Sequence, residues 1–175
     1  MSPENKFRSE HRTKWLAVCA MLMGMNIVMS SFSIPVPGGH LYLNDAIISV
    51  SAILLDPLGA FLVGGVGAFL GDVFFYPAPM FVSLATHGLQ AVAISLCAHK
   101  LFKDKPFQGA LVGVILGSVI NVVGYSLGRT FVYATAEAAL LKLPFQCFQV
   151  IFGSSVAMIL AFPAGLKKFW DKFIH

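Results

Sequence analysis

The sequence predicts an all-α integral membrane protein: one bundle of six transmembrane helices with the N- and C-termini cytoplasmic. Three observations predict it. Hydrophobic residues make up 57% of the chain and charged residues 11%, a balance that a soluble domain of this size could not hide from water. The apolar residues fall in runs of near membrane length, and since a helix needs about 20 of them to cross the hydrocarbon, the chain holds roughly six spans with short connections and no separate soluble domain. Prolines, glycines and charges punctuate the runs.

Residues 1–14 form a charged segment ahead of the first span, which runs from about Trp15 to Phe32 and stops before Pro35, Pro37, Gly38 and Gly39. It reads as a retained helix, because a signal peptide has a shorter apolar core and a small-residue cleavage site. A second, shorter helix begins near Asn44 and ends at a corner formed by Asp56 and Pro57. The third covers Leu58 to Phe75 and is ended by Pro77 and Pro79; the fourth covers Met80 to Ala98. After the charged connection HKLFKDKPF the fifth starts near Gln108 and extends past Arg129. The sixth runs from about Leu143 to Leu166, before a basic tail over residues 167–175.

Cytoplasmic loops retain Lys and Arg, which fixes the orientation. With the N-terminus inside, that side receives Lys6, Arg8, Arg12, Lys14, Lys100, Lys103, Lys105, Lys167, Lys168 and Lys172. Only Arg129 and Lys142 fall outside, so the loops PVPGGH and YPAP and the segment from Arg129 to Lys142 face the exterior. The net charge of +4 is thus an orientation signal, and its spread over membrane-flanking segments speaks against nucleic-acid binding. Cys19, Cys97 and Cys147 stand alone in apolar runs and read as small packing residues, not as metal ligands.

Small residues recur at four-residue spacing on the third span (Ala60, Gly64, Ala68, with Gly67 and Gly71 beside them) and on the fifth (Gly109, Gly113, Gly117). Such stripes let helix backbones approach closely in lipid. Ala17, Ala20 and Gly24 make a similar flat face on the first helix, suited to a membrane partner that must grip and release.

Ionisable groups inside lipid-soluble helices cost roughly 2.5 to 3.5 kcal/mol each on insertion scales and by default mark a function. His87 and Gln90 share a face of the fourth helix; Asn121, Tyr125 and Arg129 line one stripe of the fifth; Gln146 and Gln149 sit near the outer start of the sixth. Three successive helices thus present hydrogen-bonding groups in their outer halves. Tyr76, Phe81, Phe131, Tyr133, Phe145 and Phe148 lie at similar depth, where rings can stack on a planar ligand. Asn44 and Asp45 are placed to cap the second helix, and Asp72 lies near the outer end of the third; these three read as a frame for the outer rim.

There is no Walker loop, so the chain does not itself hold ATP in one. One G-x-S-x-G match, GYSLG from Gly124 to Gly128, lies in an apolar helix instead of a strand-to-helix elbow, and Ser83 with His87 is a weak nucleophile pair. A solute-binding or transport protein fits better. No cofactor is expected.

The order IPVPGGHLYLNDAIISVSAILLDPLGAFLVGGVGAFLGDVFFYPAP, followed by a fourth helix carrying His87, resembles the substrate-binding (S) components of energy-coupling factor (ECF) vitamin transporters. In that family a Pro- and Gly-rich first loop leads to a polar pair opening the second helix, here Asn44 and Asp45, then to a proline corner and a small-residue third helix ending in an Asp. Asp56 stands where the corner usually has glycine, and His87 where many relatives carry lysine. The resemblance implies a subunit that catches a vitamin or precursor under a first-loop lid. It also implies partners: a transmembrane coupling (T) protein and two ATP-binding cassette ATPases, with Ala20 and Gly24 at the positions of the docking motif.

The expected ligand site is His87, Gln90, Asn121, Tyr125, Arg129, Gln146 and Gln149, closed over by Gly38, Gly39 and His40. Amides, an imidazole and aromatics suit a small neutral heteroaromatic ring such as hydroxymethylpyrimidine or a pyridoxine-like vitamin; pantothenate follows, since Arg129 can pair with a carboxylate. Two alternatives remain open at this stage: an intramembrane enzyme using His87 with Asp72 as acid and base, and a proton-coupled carrier built on Asp45, Asp72 and His87.

Overall fold

A computed structural model describes residues 3–102 and 104–174, so Lys103, the first two residues of the 1–14 segment and the last of the 167–175 tail lie outside the described residues. The chain runs α1 (Pro3–Glu10), α2 (Arg12–Ser31), β1 (Ser33–Val36), β2 (Gly39–Tyr42) and α3 (Asp45–Leu54). Next come α4 (Pro57–Phe61), which passes through a π-helical turn, Leu62–Val66, into α5 (Gly67–Phe75), and α6 (Met80–Leu96), extended by a π turn to Leu101. The last elements are α7 (Pro106–Gly128), extended by a π turn over Arg129–Tyr133, α8 (Ala136–Ala161) and α9 (Leu166–Ile174). Among the described residues, five helical stretches are long and apolar enough to cross a membrane, and the short α3 is a further apolar helix.

The short α3 is the centre of the bundle. Every residue in it except Ile47 is buried, including Ile48 and Ile53, and it packs against α4, α6 and α8. A helix apolar on all sides is stable only inside other helices. By contrast α2 exposes Leu16, Met21, Met25 and Val28, which suits contact with lipid.

The small-residue stripes close the bundle from within. A Cβ at Gly71 would sit 2.6 Å from the Ser30 hydroxyl of α2, and one at Gly113 would sit 2.9 Å from the Ile94 carbonyl of α6. Ala17, Ala20 and Gly24 are different: all three are exposed, and nothing lies within 4 Å of the missing Gly24 side chain.

Several sequence expectations are corrected. The sixth helix starts at Ala136, not near Leu143, because Thr135 caps it by accepting from the Ala138 amide at 3.2 Å and the interior Pro144 is tolerated. Arg129 and Lys142 therefore do not flank an exposed loop; both are buried in helical turns. The first loop is a β-hairpin in which Val36 pairs with Gly39 around Pro37 and Gly38. Proline followed by a left-handed Gly38 (φ 79°) suits that tight turn. The sixth helix ends at Ala161, and a turn with left-handed Gly165 leads to α9.

At the bundle end opposite the hairpin, the terminal helices fold back on one another. Phe7 of α1 meets Trp170 of α9 edge-on at 5.6 Å and Phe173 at 5.8 Å. Glu4 pairs with His99 at 3.1 Å and with Lys167 at 3.3 Å. The fully buried Asp56, beneath the corner, accepts from Arg8 at 2.5 Å, from the Trp15 indole at 2.7 Å and from the Leu58 amide at 3.3 Å. Its role is to cap α4 and tie α1 and α2 to the corner, which accounts for a carboxylate there.

Candidate functional site

The polar residues of α3, α6, α7 and α8 meet at the hairpin end of the bundle. Asp45, 1% exposed, is the shared acceptor: Gln149 donates to it at 2.5 Å, Asn121 at 3.0 Å and Gln90 at 3.2 Å, and the His87 ring lies 3.8 Å away. The network continues outward. His87 Nδ1 and Gln90 Oε1 are 2.9 Å apart, Gln146 donates to Asn121 at 2.6 Å, and Arg129 donates to Gln146 at 3.1 Å. Buried polar groups must be paired in this way, and a shared carboxylate lets four helices agree on one arrangement.

Above this floor lies a cavity roofed by the hairpin. Gly38, Gly39, His40 and Tyr42 line its top; His87, Tyr125, Arg129, Gln146 and Gln149 line its sides with Asn44, Asp72, Tyr76 and Tyr133. The space open to the centre of a water molecule is about 30 Å³, room for only one or two waters, so a larger ligand requires the roof to lift.

The roof is held by α8. Gln149 Oε1 accepts from the Tyr42 amide at 3.0 Å, and the buried Lys142 ammonium donates to the His40 carbonyl. Gly38 lies so close to α8 that a Cβ would sit 2.6 Å from the Ala138 carbonyl. Two pairs of rings brace the cavity: His40 meets Tyr76 edge-on at 5.4 Å, and His87 meets Tyr125 at 5.3 Å. The Arg129 guanidinium lies 5.5 Å from the Tyr125 ring centre.

Of the ten expected ligand residues, eight line the cavity; Gln90 and Asn121 lie below it and hold His87, Asp45 and Gln146. Asn44 does not cap α3: its amide donates to Ser30 at 3.3 Å, and its carbonyl oxygen is buried without a partner at the cavity. Asp72 also faces the cavity instead of framing the rim. Phe81, Phe131 and Phe148 are exposed on the bundle surface, so of the expected aromatics only Tyr76 and Tyr133 reach the site. Ser83 bonds Tyr125 at 2.6 Å, and Ser126 lies mid-helix.

A family model described as the ECF-type riboflavin transporter, S component, matches residues 10–168. The chain belongs to that family. The solved structure of the S component of a bacterial ECF transporter shares its fold, with a TM-score of 0.69 at 20% identity over 90% of this chain and 98% of that one. A Pyrococcus woesei protein described only as uncharacterized, in the gap 3' region, is 33% identical over 94 residues, 53% of this chain and 62% of that protein. The match thus spans less than two thirds of that relative.

This S component is accordingly a substrate-binding membrane subunit of an ECF transporter, and the resemblance seen between Trp15 and Ala98 extends to nearly the whole chain. ECF S components work with T and ATPase modules. The family is one of transporters, so the acid–base reading of His87 and Asp72 is set aside.

Proposed function

We propose that this S component captures a small neutral heteroaromatic vitamin or precursor at the outer face of a prokaryotic plasma membrane, with six spans and both termini cytoplasmic. A hydroxymethylpyrimidine or pyridoxine-like ligand comes first and pantothenate next. The ligand sits among His87, Tyr125, Arg129, Gln146 and Gln149, under Gly38, Gly39 and His40. Gln90 and Asn121 hold the floor.

One observation carries this reading: a polar cavity roofed by a hairpin at one end of the bundle. The buried acidic and basic side chains in and around it balance, Asp72 and the floor's Asp45 against Arg129 and the roof-holding Lys142, so a neutral ligand leaves no net charge buried, whereas the pantothenate carboxylate adds one. Tyr76, Tyr125 and Tyr133 offer ring faces and edges to a planar ligand. The family description names riboflavin, which makes it the second reading; its three-ring system demands a wider opening of the same roof.

The partners are a T protein and two ATP-binding cassette ATPases, which hydrolyse the ATP. Ala17, Ala20 and Gly24 form the docking face, since they are exposed and leave a shallow surface for a helix of the T protein.

The test is thermal stabilisation of the purified full chain by hydroxymethylpyrimidine, pyridoxine, pantothenate and riboflavin. A ligand at 100 times its Kd adds about 2.7 kcal/mol. No saturable stabilisation by any of the four overturns the ligand reading. For docking, Ala20→Phe or Gly24→Phe abolishes uptake by the assembled transporter and leaves ligand binding intact; unchanged uptake overturns the assignment.

A further inference from the structure

Nine buried side-chain atoms among the described residues have no hydrogen-bond partner, and four of them belong to residues lining the cavity under the hairpin: Asn44 Oδ1, Asp72 Oδ2, Arg129 Nη1 and His40 Nδ1. Such an atom costs about 1–3 kcal/mol, more when charged, unless something bonds it. Four on one cavity point to a ligand. They also state its polarity, because an amide carbonyl and a carboxylate accept, while a guanidinium only donates.

Both acceptors belong to residues that line this cavity. The Asn44 amide donates to the Ser30 hydroxyl at 3.3 Å, and that hydroxyl packs on Gly71, the residue before Asp72. Asn44 is 4% exposed and Asp72 8%, so neither oxygen turns to bulk water. Arg129 is on another helix, at the end of α7, with Nη2 on Gln146, the Tyr133 hydroxyl beside the guanidinium, and Nη1 without a hydrogen-bond partner.

We propose, resting on the uptake function above, that Asp72 and Asn44 determine specificity by reading an exocyclic amino group on the ligand ring, while Arg129 holds an acceptor elsewhere on it. An amino group carries two N–H donors on one atom, enough for both orphan oxygens. A hydroxyl carries one and leaves an acceptor buried and bare. The site therefore selects an aminopyrimidine over a hydroxypyridine of similar size. A pocket that only adds or loses apolar contact discriminates weakly, whereas one whose buried polar atoms go unpaired discriminates strongly.

The experiment is calorimetric titration of the purified full chain with hydroxymethylpyrimidine, which bears the amino group, and with its deamino analogue. In the unmodified protein the amino compound binds at least about tenfold more tightly. In Asp72→Asn the preference falls to within a few-fold while the deamino compound still binds, a change in ratio that mere loss of folded protein does not produce. If that variant does not fold, the ratio in the unmodified protein decides alone. Equal affinities there, or saturable binding of pyridoxine, pantothenate or riboflavin without hydroxymethylpyrimidine, overturn the amino-reading role and leave the uptake function standing. Absence of saturable binding to all five compounds overturns both.

Discussion

Gln149 donates to Asp45 at 2.5 Å and with its other end accepts from the Tyr42 amide at 3.0 Å, so a single side chain joins the hairpin roof to the carboxylate at the floor of the site. Closing the roof and ordering the floor are thereby one event, because Gln149 can satisfy Asp45 and Tyr42 together only when the hairpin is down. Gln149→Ala cuts this link. It loses one hydrogen bond to the roof, worth about 0.5–1.5 kcal/mol, so the bound ligand dissociates up to about tenfold faster while association changes little. Stopped-flow binding on the purified chain checks this, and an unchanged dissociation rate contradicts it.

Asp45→Ala does more damage. It leaves donors on Gln90, Asn121 and Gln149 buried without their acceptor, in a place water does not reach. Each orphan costs about 1–3 kcal/mol, so the expected loss is at least about 3 kcal/mol and a marked fall in Tm. Asp45→Asn keeps the shape and an acceptor oxygen but loses the charge, and falls between the two. A thermal melt that ranks the two variants the other way refutes the central place given to this carboxylate.

The sequence made the bundle legible because the apolar runs are long and the Pro and Gly stops are sharp. It misplaced the start of α8 for a physical reason: Lys142 and Pro144 look like loop residues until the ammonium is seen to be paired with the His40 carbonyl, 102 residues earlier in the chain. Depth along a helix can be counted, so His87, Tyr125, Arg129, Gln146 and Gln149 were found. Rotation about the helix axis cannot, so Phe81, Phe131 and Phe148 were expected inside and are outside, while Asn44 and Asp72 were expected at the rim and face the cavity. The hub at Asp56 was missed because its partners lie more than 40 residues away, Arg8 in the charged segment ahead of the first span and Trp15 at the start of that span.

Gly38→Ala tests the roof without removing a polar group. Gly38 has φ 79°, which an alanine adopts only under strain, and the new Cβ would meet the Ala138 carbonyl at 2.6 Å and the Lys142 amide nitrogen at 2.9 Å. The hairpin cannot settle on α8. Ligand affinity falls by about tenfold or more, whereas the melting temperature of the free protein moves little, since the bundle core is unaltered. A loss of stability equal to the loss of affinity would count against a roof that moves independently of the bundle.

Asp56→Ala strips the partner from Arg8 and from the Trp15 indole at the far end of the bundle and removes the cap of α4. Breaking a buried pair from one side costs about 3–5 kcal/mol, of which the cap is about 1. Arg8→Ala costs less than removing the carboxylate, because the Arg8 side chain is 36% exposed and Asp56 keeps its bonds from Trp15 and Leu58. Chemical denaturation of the two variants gives the order, and equal losses would show that the ion pair, not the hub, is what matters.

Acid should open the contact between the terminal helices. Burial alone would raise the Glu4 carboxyl, but the hydrogen bond and charge of His99, with the charge of Lys167, outweigh it and hold the group at about 2, below its ordinary 4.5. A carboxyl with a depressed value in the folded state stabilises that state above its unfolded value and loses the contribution as pH falls through the folded one. The Glu4 carboxyl therefore makes its full contribution to the contact of α1 with α9 once pH exceeds 4.5, and that contribution is lost towards pH 2. Trp170 reports on it, because its indole packs on Phe7 and leaves that apolar setting when α1 detaches. In Glu4→Gln the acid step in tryptophan emission between those two values disappears, and the terminal contact is weaker at neutral pH; coincident acid profiles for Glu4→Gln and the unmodified protein would show that Glu4 does not hold the helices together.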